Sequence, residues 1–194
     1  MSIRRIILWL LLALPAALML RDLAGGTLPF KLYHPSGEMA VRLMLLAMLV
    51  GPLVDIFGRR KWLLAWLKFR RNLGVAAFLY GALHLLFYVL DMQTIGAMFD
   101  ELLLPAIWTG WICFALMLVA ASISTDWAVK RLGRRWKLVQ MGVYPAYLLA
   151  ILHWWLLGHG AVPAILHLIP LFIVWIARIN ARRTRKIAKK GALA

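Results

Sequence analysis

Six stretches of this chain are long, apolar and almost free of charge: roughly Ile3–Leu20, Met39–Phe57, Leu73–Leu90, Leu102–Ser122, Leu138–Leu157 and Ala161–Ala177. A helix needs about 20 apolar residues, usually about 17–25, to cross the hydrocarbon of a bilayer. Inside that hydrocarbon each main-chain polar group must find its partner within the segment, which helices achieve. The chain therefore reads as an all-α membrane protein, a bundle of six transmembrane helices. Composition agrees, because 64% of the 194 residues are hydrophobic and 15% are charged, too few polar side chains to coat a water-soluble domain of this size. The single cysteine, Cys113, excludes an internal disulfide and any multi-cysteine metal or iron–sulfur centre. The first stretch, opening on Arg4 and Arg5 and running past Pro15-Ala16-Ala17, has the outline of a signal peptide. It is read as a span because no small-x-small cleavage site precedes Arg21-Asp22.

The net charge of +16 would by itself suggest nucleic acid, but its distribution points elsewhere. Arg4 and Arg5 precede the first span. Arg59, Arg60, Lys61, Lys68, Arg70 and Arg71 follow the second, and Lys130, Arg131, Arg134, Arg135 and Lys137 follow the fourth. Arg178, Arg182, Arg183, Arg185, Lys186, Lys189 and Lys190 fill the tail, so alternate connections hold all 23 cations except Arg21, Lys31 and Arg42. Cytoplasmic connections collect Lys and Arg, so both termini are expected in the cytoplasm of a bacterial inner-membrane protein. One domain is expected, with a core over residues 35–177 and a basic cytoplasmic tail, 178–194, that suits anionic lipid. Lys61–Lys68 alternates cations with Trp62, Leu63, Leu64, Trp66 and Leu67 and predicts a short helix lying in the inner interface. Gly51-Pro52 predicts a kink in the second span. Arg42 is placed to snorkel from that span's start, and Trp108, Trp111, Trp154 and Trp155 read as belt anchors at the outer boundary.

An ionisable side chain inside a span is costly and marks a candidate functional position. His84 stands ~18 Å up the third span from its inner end, and His153 ~22 Å up the fifth. Two imidazoles on separate helices at one level form a natural axial pair for a haem iron. Gly74, Ala76, Ala77, Gly81 and Ala82 leave room near His84 for a flat macrocycle, although small residues also serve plain helix packing, and a membrane histidine can instead simply hydrogen-bond a neighbouring helix. His167, a turn into the sixth span, is a competing ligand or a haem-pocket residue, while His34 and His159 read as solvated outer-loop residues. The sequence contains no HExxH, CxxC, nucleophile-elbow, Walker or dinucleotide-binding glycine pattern.

Several motifs stand in a characteristic order: His34-Pro35-Ser36-Gly37-Glu38, Arg71-Asn72-Leu73-Gly74, Ala82-Leu83-His84-Leu85, Arg131-Leu132-Gly133-Arg134-Arg135-Trp136-Lys137, Val143-Tyr144 and Ile151-Leu152-His153-Trp154. From Pro35 to Trp155 the chain resembles the MsrQ (YedZ) family, haem-binding membrane subunits of the periplasmic methionine sulfoxide reductase system within the ferric-reductase-like transmembrane group. The resemblance implies a haem b whose iron, the metal of the site, is held by His84 and His153. It implies electron transfer, with no catalytic residue of its own, from the cytoplasmic side or the quinol pool to a periplasmic, molybdopterin-containing MsrP-like reductase. The family pattern carries a further histidine where this chain has Gln140, and an amide is a poor iron ligand, so a second, inner haem is placed in doubt. Arg70, Arg71 and Gln140 remain the candidate inner cofactor site, for FMN, a quinone or an unusually ligated haem. The electron donor implied is a separate cytoplasmic flavin reductase or membrane quinol, and no nucleic-acid partner is expected. Asp91, Asp100 and Glu101 could steer an outer partner or simply be polar loop residues. Rival readings are a stand-alone transmembrane ferric or metal reductase and a non-redox membrane scaffold.

Overall fold

The computed structural model describes residues 2–158 and 160–191. Helix α1 spans Ile3–Ala24, a short 3-10 turn covers Pro29–Leu32, and α2 spans Tyr33–Phe57. Then come α3 (Lys61–Met92), α4 (Ile95–Glu101), α5 (Pro105–Ser122), α6 (Asp126–Leu132), α7 (Arg134–Gln140), α8 (Val143–Leu156) and α9 (Ala161–Gly191). The fold is an all-α membrane protein. Among the described residues, five helical stretches are long and apolar enough to cross a bilayer by length and composition: Ile3–Ala24, Pro29–Phe57, Lys61–Met92, Pro105–Ser122 and Ala161–Ile187.

Two expectations are corrected. Lys61–Lys68 is not a separate interfacial helix but the first two turns of α3, with Leu63 fully buried. Nothing between Lys61 and Leu73 interrupts a helix: there is no Gly or Pro, and continuing the i→i−4 ladder satisfies every main-chain group. The expected continuous span Leu138–Leu157 is divided into α7 and α8. Gly142 donates to the Val139 carbonyl at 3.0 Å, and Tyr144 to that of Met141 at 3.1 Å. Both bonds are of the tight i→i−3 kind, and Tyr144 takes the Met141 carbonyl because Pro145 has no N–H to offer it. The 14 residues of α8 therefore rise only ~21 Å, and α7 supplies the rest of the stretch. The tail does not leave the bundle as a separate segment, since α9 continues through Arg178 to Gly191.

Helix α2 sits at the centre, packed on α3, α8 and α9, while α5 packs on α8 and α1 touches the bundle along α3. The core runs through Val50, Ala77, Tyr80, Phe87, Ala146 and Tyr147. The helix directions bring the basic connections to one end of the bundle, where two acids tie the elements together. Asp55 accepts from Arg178 Nε and Arg182 Nη2, each at 2.6 Å, pinning α9 to the end of α2. Asp126 pairs with Arg71 of α3, whose guanidinium holds that carboxyl below the usual carboxylate range.

Tyr80 repairs a helix from outside. Pro15 breaks the ladder of α1, and the Tyr80 hydroxyl inserts at the break. It accepts from the Ala16 N–H at 3.1 Å and donates to the Leu12 carbonyl at 2.7 Å. In hydrocarbon those two main-chain groups have no water to turn to. Tyr80→Phe is expected to destabilise the fold by about 1–2 kcal/mol, with faster amide exchange confined to the Leu12–Ala16 region. Unchanged exchange in that region would refute the bridging role.

Candidate functional site

At the end opposite the basic connections, α2, α3, α5 and α8 enclose a cavity of about 240 Å³. His84 enters it from α3 and His153 from α8, and their ring centres lie 6.1 Å apart with planes at 88°. The two sequence-predicted ligands are thus brought into one cavity, edge to face. An imidazole nitrogen binds a transition metal at about 2.0–2.1 Å, and at this spacing the two rings are close enough that both would reach a single ion. Among the described residues no three His, Cys, Asp or Glu side chains form a group that could hold a metal ion.

Each ring is oriented through Nδ1. His84 Nδ1 lies 3.0 Å from the Tyr33 carbonyl and 3.3 Å from Ser36 Oγ, both in the first turn of α2. Ser36 is fully buried, and its hydroxyl donates to the Leu32 carbonyl at 2.6 Å. His153 Nδ1 lies 2.5 Å from the Ala106 carbonyl in the first turn of α5. An Nδ1–H donated to a carbonyl fixes the tautomer that leaves the lone pair on Nε2, the arrangement that orients a metal-binding imidazole. Helix starts supply these carbonyls because α2 and α5 begin at the same end of the bundle.

Two glycines make the approach possible. A Cβ on Gly37 would stand 3.2 Å from His84 Nδ1, and one on Gly110 would stand 2.8 Å from both Cε1 and Nδ1 of His153. Sequence reading assigned neither a role. The available signal is a lone glycine inside an apolar span, which costs ~1 kcal/mol against alanine and usually has a packing reason. Tyr33 and Ala106 act through main-chain carbonyls, which no side-chain pattern reveals. Cys113, Met44, Trp111 and Phe114 complete the apolar wall. Of the small residues expected around His84, Gly81 lines the cavity, whereas Ala76 and Ala77 are buried in helix packing.

The other candidates fall elsewhere. His167 Nδ1 lies 2.8 Å from the Pro163 carbonyl of its own helix, and its ring packs on Trp154 at 5.0 Å, outside the cavity lining. His34 does line the cavity, edge-on to Trp154 at 5.6 Å and 3.8 Å from the Glu38 carboxylate. His159 lies outside the described residues. At the basic end, Gln140 Nε2 donates to the Ala120 carbonyl at 2.9 Å and to Ser124 Oγ at 3.1 Å. Arg70 is exposed and Arg71 is paired with Asp126. Gln140 is thus tied to the end of α5, and Arg71 to α6.

Comparison with known proteins places this geometry. The family described as "Ferric reductase like transmembrane component" matches residues 36–151, a range that contains His84, Gly37 and Gly110 and ends two residues before His153. The protein-methionine-sulfoxide reductase heme-binding subunit MsrQ of Xanthomonas oryzae pv. oryzae is 33% identical over 172 residues, covering 84% of this chain and 77% of the relative. Its counterpart in Xanthomonas campestris pv. campestris is 34% identical over the same length and coverage. That of Bordetella parapertussis is 35% identical over 127 residues, covering 64% of this chain and 60% of the relative. No solved structure matches. On the family match over more than half of its residues and the identity across most of its length, the chain belongs to the ferric-reductase-like transmembrane family and, within it, to the MsrQ group.

Proposed function

We propose that this chain is the haem b-carrying electron-transfer subunit of a methionine sulfoxide reductase system, seated in the bacterial inner membrane with the basic end of the bundle in the cytoplasm. The observation that carries the proposal is the His84–His153 pair, 6.1 Å between ring centres, with each Nδ1 directed at the main-chain carbonyl of another helix. The relatives' shared description as heme-binding subunits of a sulfoxide reductase supports it. A bound haem would supply reversible one-electron carriage. The protein's residues do the rest. His84 and His153 would hold the iron, Gly37 and Gly110 let the rings take position, and Met44 and Phe114 supply apolar wall. Both histidines sit toward the end opposite the cations, so electrons leave on the periplasmic side, to a molybdopterin-containing, MsrP-like catalytic subunit.

For the inner end we propose a different cofactor. Gln140 stands where the family's histidine is expected, and its amide is engaged with Ala120 and Ser124. We assign that end to a flavin or quinol that meets the exposed Arg70, fed by a cytoplasmic flavin reductase or the quinol pool. The second reading, a stand-alone reductase of ferric or other metal chelates, draws on the name of the matching family. A single experiment separates the two. The chain in lipid nanodiscs is reduced with dithionite and mixed with the periplasmic catalytic subunit plus methionine sulfoxide, or with a ferric chelate alone. Re-oxidation at least about tenfold faster with the catalytic subunit supports the proposal, and the reverse order supports the metal reductase.

A further inference from the structure

Helix α4 links α3 to α5 at the end of the bundle opposite the basic connections, and one of its faces is uncovered. Ile95 is 73% exposed and Phe99 65%, one helical turn apart, and Leu103 just beyond the helix is 89% exposed. The segment is nevertheless anchored. Thr94 caps it by accepting from the Ala97 N–H at 3.3 Å, and Glu101 at its end accepts from the Tyr88 hydroxyl at 2.9 Å. Asp91, just before it, accepts from the Tyr33 hydroxyl at 2.8 Å.

The charge at this end is mainly negative. Of its three cations, Arg21 is bonded to Asp22 and Arg42 to Glu38, which leaves the exposed Lys31 against three acids, Asp91, Asp100 and Glu101, none of them in an ion pair among the described residues. Helices that lie in a lipid surface carry Lys or Arg on their polar face to meet anionic headgroups. α4 carries none; its charged residues are Asp100 and Glu101. Exposed apolar side chains beside uncompensated acids are what a basic protein surface around an apolar pocket recognises.

We infer that the exposed face of α4, centred on Phe99 with Ile95, Leu103 and Asp100, is the docking surface for the electron-accepting protein subunit, which meets it with a basic patch. The inference rests on the function proposed above and adds the place of contact. That place is next to the site: the rings of Tyr88 and Tyr33 lie 6.4 Å apart, those of Tyr33 and His84 5.8 Å, and both tyrosines line the cavity. A partner seated on α4 stands at the short way out from His84.

The test uses the full-length chain in nanodiscs and measures re-oxidation of the dithionite-reduced protein as the catalytic subunit, with methionine sulfoxide, is titrated in. For the double variant Phe99→Ala/Leu103→Ala the half-saturating partner concentration is expected to rise about tenfold or more, with the absorbance spectrum unchanged. For Asp100→Lys a rise of similar size is expected, with a weaker dependence on ionic strength. Unchanged half-saturation in both, while the wild type is re-oxidised normally, overturns the docking site alone. Failure of the wild type to be re-oxidised overturns the functional reading together with it. A nitroxide on Phe99→Cys, selective because Cys113 is buried, gives a second readout. Access to a water-soluble relaxant that the partner blocks supports docking. Access only to oxygen, with or without partner, means that the face lies in lipid, and overturns it.

Discussion

Alanine in place of either His84 or His153 is expected to remove the Soret band and the reduced-minus-oxidised haem signal almost completely from the purified protein. The same change at His167 is expected to leave both in place. The distinction follows from geometry. His84 and His153 share a cavity at 6.1 Å between ring centres, and each is held by a carbonyl that fixes its tautomer. Either variant would leave a single imidazole for the iron, and truncating that side chain also leaves a void in an apolar wall. His167 is turned back onto Pro163 and covered by Trp154. Pyridine-haemochrome quantification, set against protein concentration, checks the outcome. Two haems per chain that both survive His84→Ala would remove the pair from its proposed role, as would loss of haem in His167→Ala alone.

Gly110→Ala is expected to disturb the same site without touching a ligand. The added Cβ would stand 2.8 Å from two atoms of the His153 ring, inside any normal van der Waals contact. The ring has little room to retreat, because its Nδ1 is bonded to the Ala106 carbonyl of α5, one turn before Gly110. Accommodating the methyl group therefore costs about 1–3 kcal/mol, roughly a ten- to hundredfold loss of haem affinity. Haem occupancy at limiting haem and the low-spin EPR signal report it. Gly37→Ala, with its nearest approach of 3.2 Å to His84, is expected to act in the same direction more weakly. Gly81→Ala meets nothing closer than the Met117 methyl at 3.8 Å and serves as the control. An occupancy series that does not follow these distances would show that ring clearance is not what the glycines provide.

Much of this molecule is visible in the chain before any coordinates, for a reason specific to membranes. Hydrocarbon forbids unsatisfied main-chain groups, so an apolar stretch such as Leu73–Leu90 has one regular structure open to it. Where the expectation failed, a local main-chain feature decided the outcome. Pro145 withheld a donor and divided the fifth stretch, and the absence of any breaker let α3 absorb Lys61–Lys68. The pairing of His84 with His153 could be anticipated because depth along a helix is simple arithmetic. Which carbonyls orient the rings could not, because Tyr33 and Ala106 contribute atoms that every residue possesses.

The class of fold, the end of the bundle at which the cations gather and the two histidines that share a level all follow from residue type and rise per residue, and so can be read along the chain. Tertiary structure alone decided the rest. It set the 6.1 Å between the rings, the clearance at Gly110, the hydroxyl of Tyr80 that closes the break at Pro15, and the engagement of Gln140 with the end of α5. Each of these depends on how one helix is rotated and advanced against another. Side-chain packing between helices fixes that relation, and no single helix encodes it.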